Sequence, residues 1–202
     1  MKHIFTIFLL GFFVFGSAQQ NRKLLRIKDK YDNKLKRLQD KCFGDHDIKG
    51  NPEKIKMLDA ECESEESILE TRRSAENVAE LAKIKSRAQQ KNSVSFARSA
   101  GSANATVTLP QYPTGLNGFR KEVAENFNTA VITGKNMLRT QISFVVETDG
   151  SISDVDSDGS NIQLNREAEI AVYLAKHRWK PALENGVAVP YRFKLPMTFY
   201  FE

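Results

Sequence analysis

The acidic run from Asp154 to Gly159 is the stretch of the sequence that comes closest to a metal-binding motif. Its aspartates alternate with other residues and precede a glycine, as the oxygen ligands do at the start of an EF-hand calcium loop. That loop closes with a bidentate glutamate at its twelfth position, which is Asn165 when counted from Asp154. The histidines lie far apart, at His3, His46 and His177. We therefore expect no metal, no cofactor and no catalytic centre.

The N-terminal residues have the pattern of an export signal. Lys2 and His3 precede an apolar run over residues 4–15, and Gly16-Ser17-Ala18 follows it. This predicts a signal peptide over residues 1–18 and an exported mature protein. As a helix, the apolar run would be about 18 Å long, shorter than the roughly 30 Å hydrocarbon core of a bilayer. The alternative is an uncleaved membrane anchor.

Export changes how the two cysteines are interpreted. Cys42 and Cys62 are the only cysteines in the chain, and an oxidising compartment allows such a pair to persist as a disulfide. We predict a Cys42–Cys62 bridge, which for a loop of this length contributes about 3 kcal/mol to stability. Two unpaired thiols are the alternative.

The elements that position these cysteines are predicted to be two helices, within residues 19–91. Apolar residues recur every three or four positions over residues 21–41, and a second helical pattern begins at Pro52 and runs to about residue 90. The first helix is strongly basic and the second begins acidic, so an antiparallel hairpin places opposite charges side by side. The hairpin could dock to another envelope protein or to a second copy. Nucleic acid is not an expected partner.

Residues 92–106 are rich in Ser, Ala and Asn and have no aliphatic periodicity, which predicts a flexible linker. A C-terminal domain over residues 107–202 follows. Its pattern reads helix (116–127), strand (137–147), tight turn at Asp149-Gly150, short strand (152–155), helix (165–179) and a long alternating final strand. We expect an α+β fold with two helices on a three-stranded antiparallel sheet. Trp179 is expected at the end of the second helix, in the core, and His177 on its exposed side.

Several motifs of this C-terminal part together resemble the TonB C-terminal domain family. They are Tyr112-Pro113-Thr114-Gly115 with Phe119, the strand-turn-strand of Phe144-Val145-Val146 and residues 149–155, Asn165-Arg166-Glu167-Ala168, Trp179-Lys180-Pro181-Ala182, Asn185-Gly186-Val187 and Leu195-Pro196. The resemblance implies a periplasmic domain that pairs its edge strand with a short segment of an outer-membrane TonB-dependent receptor. Transducers of this family keep a membrane helix and a proline-rich spacer, whereas this chain has a cleavable signal, a charged hairpin and a short linker.

The final strand is where the sequence itself predicts partner binding, over Pro190, Tyr191, Arg192, Phe193, Lys194, Leu195 and Pro196. Residues two apart in a strand direct their backbone groups to the same side, so Pro190, Arg192, Lys194 and Pro196 share one edge. Proline has no N–H to give to a neighbouring strand, which indicates that this edge is free. The prolines discourage indiscriminate pairing, and Arg192 and Lys194 remain available to an added peptide strand. An edge that is only protected against aggregation is the alternative.

Overall fold

A computed structural model describes residues 21–44, 52–92, 106–133 and 136–201. The predicted signal peptide and residues 93–105 of the predicted linker lie outside these ranges. The described elements, in chain order, are α1 (Arg22–Phe43), α2 (Pro52–Asn92), β1 (Val107–Thr108), α3 (Gly115–Glu125), a 3-10 helix (Thr129–Val131), β2 (Asn136–Val146), β3 (Ile152–Gly159), α4 (Ile162–Tyr173), β4 (Ala182–Glu184), β5 (Val187–Val189) and β6 (Tyr191–Phe201). The α+β class predicted from the sequence is confirmed.

The first helix forms because its start is capped and one face is apolar. The Asn21 side-chain oxygen accepts hydrogen bonds from the N–H groups of Lys23 and Leu24, which satisfies donors that a helix N-terminus leaves without partners. Leu24, Tyr31 and Leu38 recur at seven-residue intervals and are buried. That stripe packs along α2, so the two helices form the expected hairpin.

Charge pairs along one side of the hairpin are consistent with the register of the two helices. The Lys41 ammonium lies 3.3 Å from the Glu61 carboxylate and 3.0 Å from that of Glu65. Nearer the base, the Lys30 ammonium lies 2.6 Å from the Glu76 carboxylate. The opposite charges predicted to meet in an antiparallel hairpin therefore do so, although each exposed pair contributes little to stability.

The larger sheet has the strand order β3-β2-β6, and helices cover one of its faces. Ile142, Phe144 and Val146 of β2 point to that face and are fully buried. The ring of Phe119, on α3, lies 5.5 Å from the ring of Phe144, and α4 crosses β2 and β3. On the other face Arg139 and the alternate residues of β6 are exposed, as the alternating pattern predicts.

The predicted turn at Asp149-Gly150 joins β2 to β3. Gly150 has a φ of +78°, a left-handed conformation that glycine adopts without strain. Its carbonyl accepts the Trp179 N–H at 3.0 Å, and a Cβ at this position would collide with the Trp179 carbonyl oxygen. The turn therefore needs glycine both for its conformation and for the close approach of the Trp179 backbone.

Two element boundaries differ from the sequence prediction, and one sheet is additional. The return strand extends to Gly159 rather than Val155, so the acidic run lies in a strand and not in a turn. The last helix ends at Tyr173, which leaves His177 and Trp179 in the following loop. A second small antiparallel sheet, in the order β1-β4-β5, was not predicted.

The hairpin also packs against the C-terminal part of the chain, which the sequence treats as a separate domain. Leu24 of α1 and Leu81 of α2 belong to the same buried core as Phe119 and Phe144. The Asn21 N–H donates to the carbonyl of Tyr173, at the end of α4, over 3.2 Å. Hairpin and C-terminal part therefore share one core.

Candidate partner-binding edge

The final strand, β6, lies at an edge of the larger sheet. It pairs with β2 over its whole length, from Tyr191 opposite Val146 to Phe201 opposite Asn136. β3 forms the other edge. A sheet edge carries a row of backbone N–H and C=O groups that a further strand can use. Whether these groups are already hydrogen-bonded within the molecule therefore indicates at which edge a partner can bind.

The β3 edge is covered by side chains of α4. The Val155 N–H donates to the hydroxyl of Tyr173 at 3.3 Å, and the Ser157 N–H donates to the carboxylate of Glu169 at 3.0 Å. These two N–H groups point away from β2, because their acceptors belong to a helix. Their hydrogen-bonding capacity is used within the molecule, and β3 is closed to an added strand.

The same two hydrogen bonds identify which groups of β6 are free. Ser157 is opposite Ile142, and since Ser157 faces away from β2, the backbone groups of Ile142 face the other neighbour, β6. Ile142 is opposite Leu195, so Leu195 bonds to β2 and its neighbour Lys194 faces outward. Arg192, two residues before Lys194, faces outward as well. No hydrogen bond joins these outward groups of Arg192 and Lys194 to any other described residue.

Two prolines limit this free edge to a short window. Pro196 lies two residues after Lys194, so its backbone nitrogen also faces away from β2, and its missing N–H removes no hydrogen bond between β6 and β2. Pro190 immediately precedes β6. The outward N–H groups between the prolines belong to Arg192 and Lys194. The Arg192 guanidinium forms an ion pair with Asp154, and Lys194 is exposed. On the opposite, helix-covered face Tyr191 and Phe193 are half-buried and Leu195 is fully buried.

A cavity of about 250 Å³ adjoins the start of this strand. Its walls come from the segment before α3, from the first turn of α3, and from Trp179 and Phe193: Pro110, Gln111, Tyr112, Gly115, Leu116, Trp179 and Phe193. The cavity is largely apolar and lies on the helix-covered side of the sheet, beside the free window. An apolar side chain of an added strand could therefore enter it. The sequence prediction named Phe193 of this set but not the other walls as partner-binding.

Tyr112, Glu122 and His177 form a hydrogen-bonded group that holds one wall of the cavity in place. The Tyr112 hydroxyl donates to the Glu122 carboxylate at 2.5 Å and accepts the His177 N–H at 3.2 Å, and the His177 ring lies 2.8 Å from the same carboxylate. Burial would by itself raise the pKa of Glu122, but hydrogen bonds from Tyr112, the Lys176 N–H and His177 outweigh it and hold that pKa below its usual value. Burial, followed by the bond to Glu122, raises the pKa of Tyr112.

This group also explains why the helix ends early. The N–H groups of Lys176 and His177 bond to Glu122 and Tyr112 and not to carbonyls of α4. The prediction that His177 is helical was therefore wrong, since it lies in the loop after α4. The prediction that it is exposed is confirmed, and its side chain contacts Tyr112 and Glu122. Trp179 is not helical either, but it packs against Phe119, Phe144 and Phe193 in the core, as expected of its large ring.

The acidic run that begins at Asp154 does not form a loop around a cation. Asp154 binds Arg192, and the Asp156 carboxylate lies 3.1 Å from the Lys85 ammonium. Among the described residues no three histidine, cysteine or acidic side chains are placed to share a metal ion.

Cys42 and Cys62 are bonded to each other, with 6.2 Å between their Cα atoms. They lie near the tip of the hairpin, at the opposite end of α2 from the residues that contact α4. The disulfide therefore joins the two helices and does not take part in the edge at β6.

A comparison of the chain with protein families, curated proteins and solved structures gives no match. Within the described residues no helix is both long enough and apolar enough to cross a membrane. The assignment of the candidate site is therefore based on geometry alone, namely the free window of β6 and the adjoining cavity.

Proposed function

We propose that this chain is a non-catalytic binding module of the TonB C-terminal type, in which a peptide segment of an outer-membrane receptor adds as a strand to β6. The observation that carries the proposal is the difference between the two sheet edges. Tyr173 and Glu169 close the β3 edge, whereas the outward groups of Arg192 and Lys194 have no partner among the described residues. Strand addition needs such an open edge.

Side chains next to the window suggest what the added segment presents. Successive side chains of a strand alternate between the two faces of a sheet. Those on the helix-covered face would pass the cavity beside Phe193, which favours an apolar residue. Those on the open face would pass Arg192 and Lys194, which favour acidic or polar residues. The segment recognised is therefore extended, with apolar and acidic or polar residues in alternation. As a receptor-binding module of this type, the chain would take part in TonB-dependent transport.

The first test removes one outward N–H from the window. Arg192→Pro leaves the ladder with β2 intact, because the Arg192 N–H points away from β2. We expect it to abolish binding of synthetic peptides taken from the periplasmic N-terminal segments of the cell's outer-membrane receptors, as measured by calorimetry. Arg192→Ala is the matched control, since it removes the same side chain but keeps the N–H, and it should bind within about threefold of the wild type.

Hydrogen exchange locates the bound segment directly. The Arg192 and Lys194 amides should exchange quickly in the free protein and become protected when peptide binds. Binding that survives Arg192→Pro, or protection that appears on β3 instead, would sink the assignment of the edge.

We propose further that the chain is exported and acts in the periplasm. Intact-mass analysis of the fractionated native protein tests this, with a mature chain that begins at Gln19 in the periplasmic fraction as the expected result. Residues 1–18 retained in the membrane fraction would contradict it and would favour the alternative, an anchored transducer that moves with an inner-membrane motor.

A further inference from the structure

A second open surface lies at the tip of the hairpin, far from β6. The groove between α1 and α2 widens there into a cavity of about 290 Å³. Leu35, Leu38 and the Cys42–Cys62 disulfide contribute apolar surface to it, and Phe43 lines its rim with 80% of its surface exposed. An exposed aromatic ring beside an open apolar cavity is typical of a surface that is covered by a partner.

One wall of the cavity is acidic. Asp59, Glu63 and Glu66 line it, at helical spacing along one side of α2. Glu70 continues the same stripe toward the base of the hairpin, where its carboxylate accepts a hydrogen bond from the Asn128 side chain at 2.7 Å. The lower part of the groove is thus already an interface within the chain, and the tip continues it.

None of the cations that the structure describes pairs with the acids that line the tip cavity. Lys41 pairs with Glu61 and Glu65 on the other side of α2. Asp59, Glu63 and Glu66 form no ion pair with any described residue. A partner that is complementary to this cavity should therefore carry a positive charge together with an apolar group.

The linker of the same molecule is too short to fill the groove. At 1.5 Å per residue, about 45 Å of helix separates Cys62 from Asn92. Residues 93–105 span at most about 45 Å when fully extended, and they must also return to Thr106. The groove at the tip is therefore out of reach of residues 93–105.

The hairpin carries the complementary groups itself. Lys36 is exposed and lies seven residues, or two helical turns, before Phe43, so both side chains are on the same side of α1. We propose that the hairpin tip is a dimer interface in which Phe43 of each copy enters the cavity of the other and Lys36 of each copy faces the other's acidic stripe. Both contacts then occur twice about a two-fold axis, which makes the surface self-complementary.

Sedimentation equilibrium of the natively processed full-length chain tests the proposal. We expect a concentration-dependent dimer, and Phe43→Ala should raise its dissociation constant about 30-fold, as loss of a central aromatic anchor does. Ile162→Ala removes an apolar side chain that is also exposed but lies at the start of α4, and it should leave the dimer unchanged. Circular dichroism and the intact mass of the disulfide-bonded chain establish that each variant is folded.

Charge reversal gives a sharper result. Glu63→Lys and Lys36→Glu should each weaken the homodimer by about tenfold or more, and an equimolar mixture of the two variants should recover a heterodimer of near wild-type affinity. Reduction of the disulfide should also weaken association, because the cavity loses the bond that joins its two walls.

Three outcomes would overturn the proposal. They are a wild-type chain that stays monomeric up to several hundred micromolar, a dimer that neither Phe43→Ala nor Glu63→Lys weakens, and a mixture of charge variants that fails to associate. A monomer that binds a synthetic lysine-rich peptide bearing one phenylalanine would assign the groove to a different protein.

Discussion

Glu167, on α4, is a buried carboxyl group at the contact between the hairpin and the C-terminal part. It is 2% exposed, and it accepts a hydrogen bond from the Ser74 hydroxyl of α2 at 3.1 Å. Burial raises its pKa to about 7, while Ser74 and Arg73 lower it and Glu70 raises it. Because the folded-state pKa is above the usual 4.5, the folded chain binds this proton more tightly than the unfolded chain.

That difference predicts a pH-dependent contribution to stability. The contribution of Glu167 is fully present below about pH 4.5, is lost as the pH rises through about 7, and is constant above that. Glu167→Gln cannot ionise, so at pH 8 it should be more stable than the wild type, by on the order of 2–3 kcal/mol. At pH 4.5 the two should be nearly equal. Urea unfolding at both pH values measures this, with the exposed Glu125→Gln as control, and equal pH slopes for wild type and Glu167→Gln would contradict it.

A second residue-scale prediction concerns the covered sheet edge. Tyr173 is buried, burial raises its pKa to about 12, and its hydroxyl accepts the buried Val155 N–H. Tyr173→Phe leaves that N–H without a partner and should destabilise the chain by about 1–2 kcal/mol. Tyr191→Phe is the matched control, because the Tyr191 hydroxyl makes no hydrogen bond with the described residues. Urea unfolding compares the two variants, and similar losses for both would argue against the proposed role of Tyr173.

At the scale of elements, the sequence predicts those whose periodicity extends over many residues. The stripe of Leu24, Tyr31 and Leu38 identifies α1, and the alternation over residues 191–201 identifies β6 and its buried face. The free edge could also be predicted, because Pro190, Arg192, Lys194 and Pro196 are each two residues apart and so direct their backbone groups to the same side of the strand. These features depend on residues that are close together in the chain, so they can be recognised from the local sequence pattern.

Elements that depend on distant partners could not be predicted in the same way. Strands β1, β4 and β5 have two or three residues each, too few for alternation to be recognised. Asn185-Gly186 was nevertheless an available signal, since both residues have the positive φ values of a tight hairpin turn. The end of α4 is set by Glu122 and Tyr112, whose positions relative to it are known only once the chain is folded. The cavity walls likewise come from three separate segments.

At the scale of the whole molecule, the contact between α2 and α4 combines apolar and charged groups. Leu81 is 4% exposed and lies in the shared core, while the Lys85 ammonium lies 2.7 Å from the Glu169 carboxylate of α4. Glu169 in turn accepts the Ser157 N–H of β3. Lys85 of the hairpin thus pairs with the same carboxylate that accepts the N–H of the closed sheet edge. We therefore expect the hairpin to contribute to the stability of the C-terminal part.

The single tryptophan makes this connection measurable. Trp179 lies in the C-terminal core, so its fluorescence reports unfolding of that part alone, whereas Leu81 belongs to the hairpin. Leu81→Ala removes buried methyl groups and should lower the free energy of unfolding by about 2–4 kcal/mol. If hairpin and C-terminal part unfold together, the Trp179 transition in urea moves by the same amount as the helical signal in circular dichroism. Met57→Ala, on the exposed tip of the hairpin, should move neither signal. A Trp179 transition that stays in place while the helical signal shifts would mean that the two parts unfold independently, with the hairpin only resting on the C-terminal core.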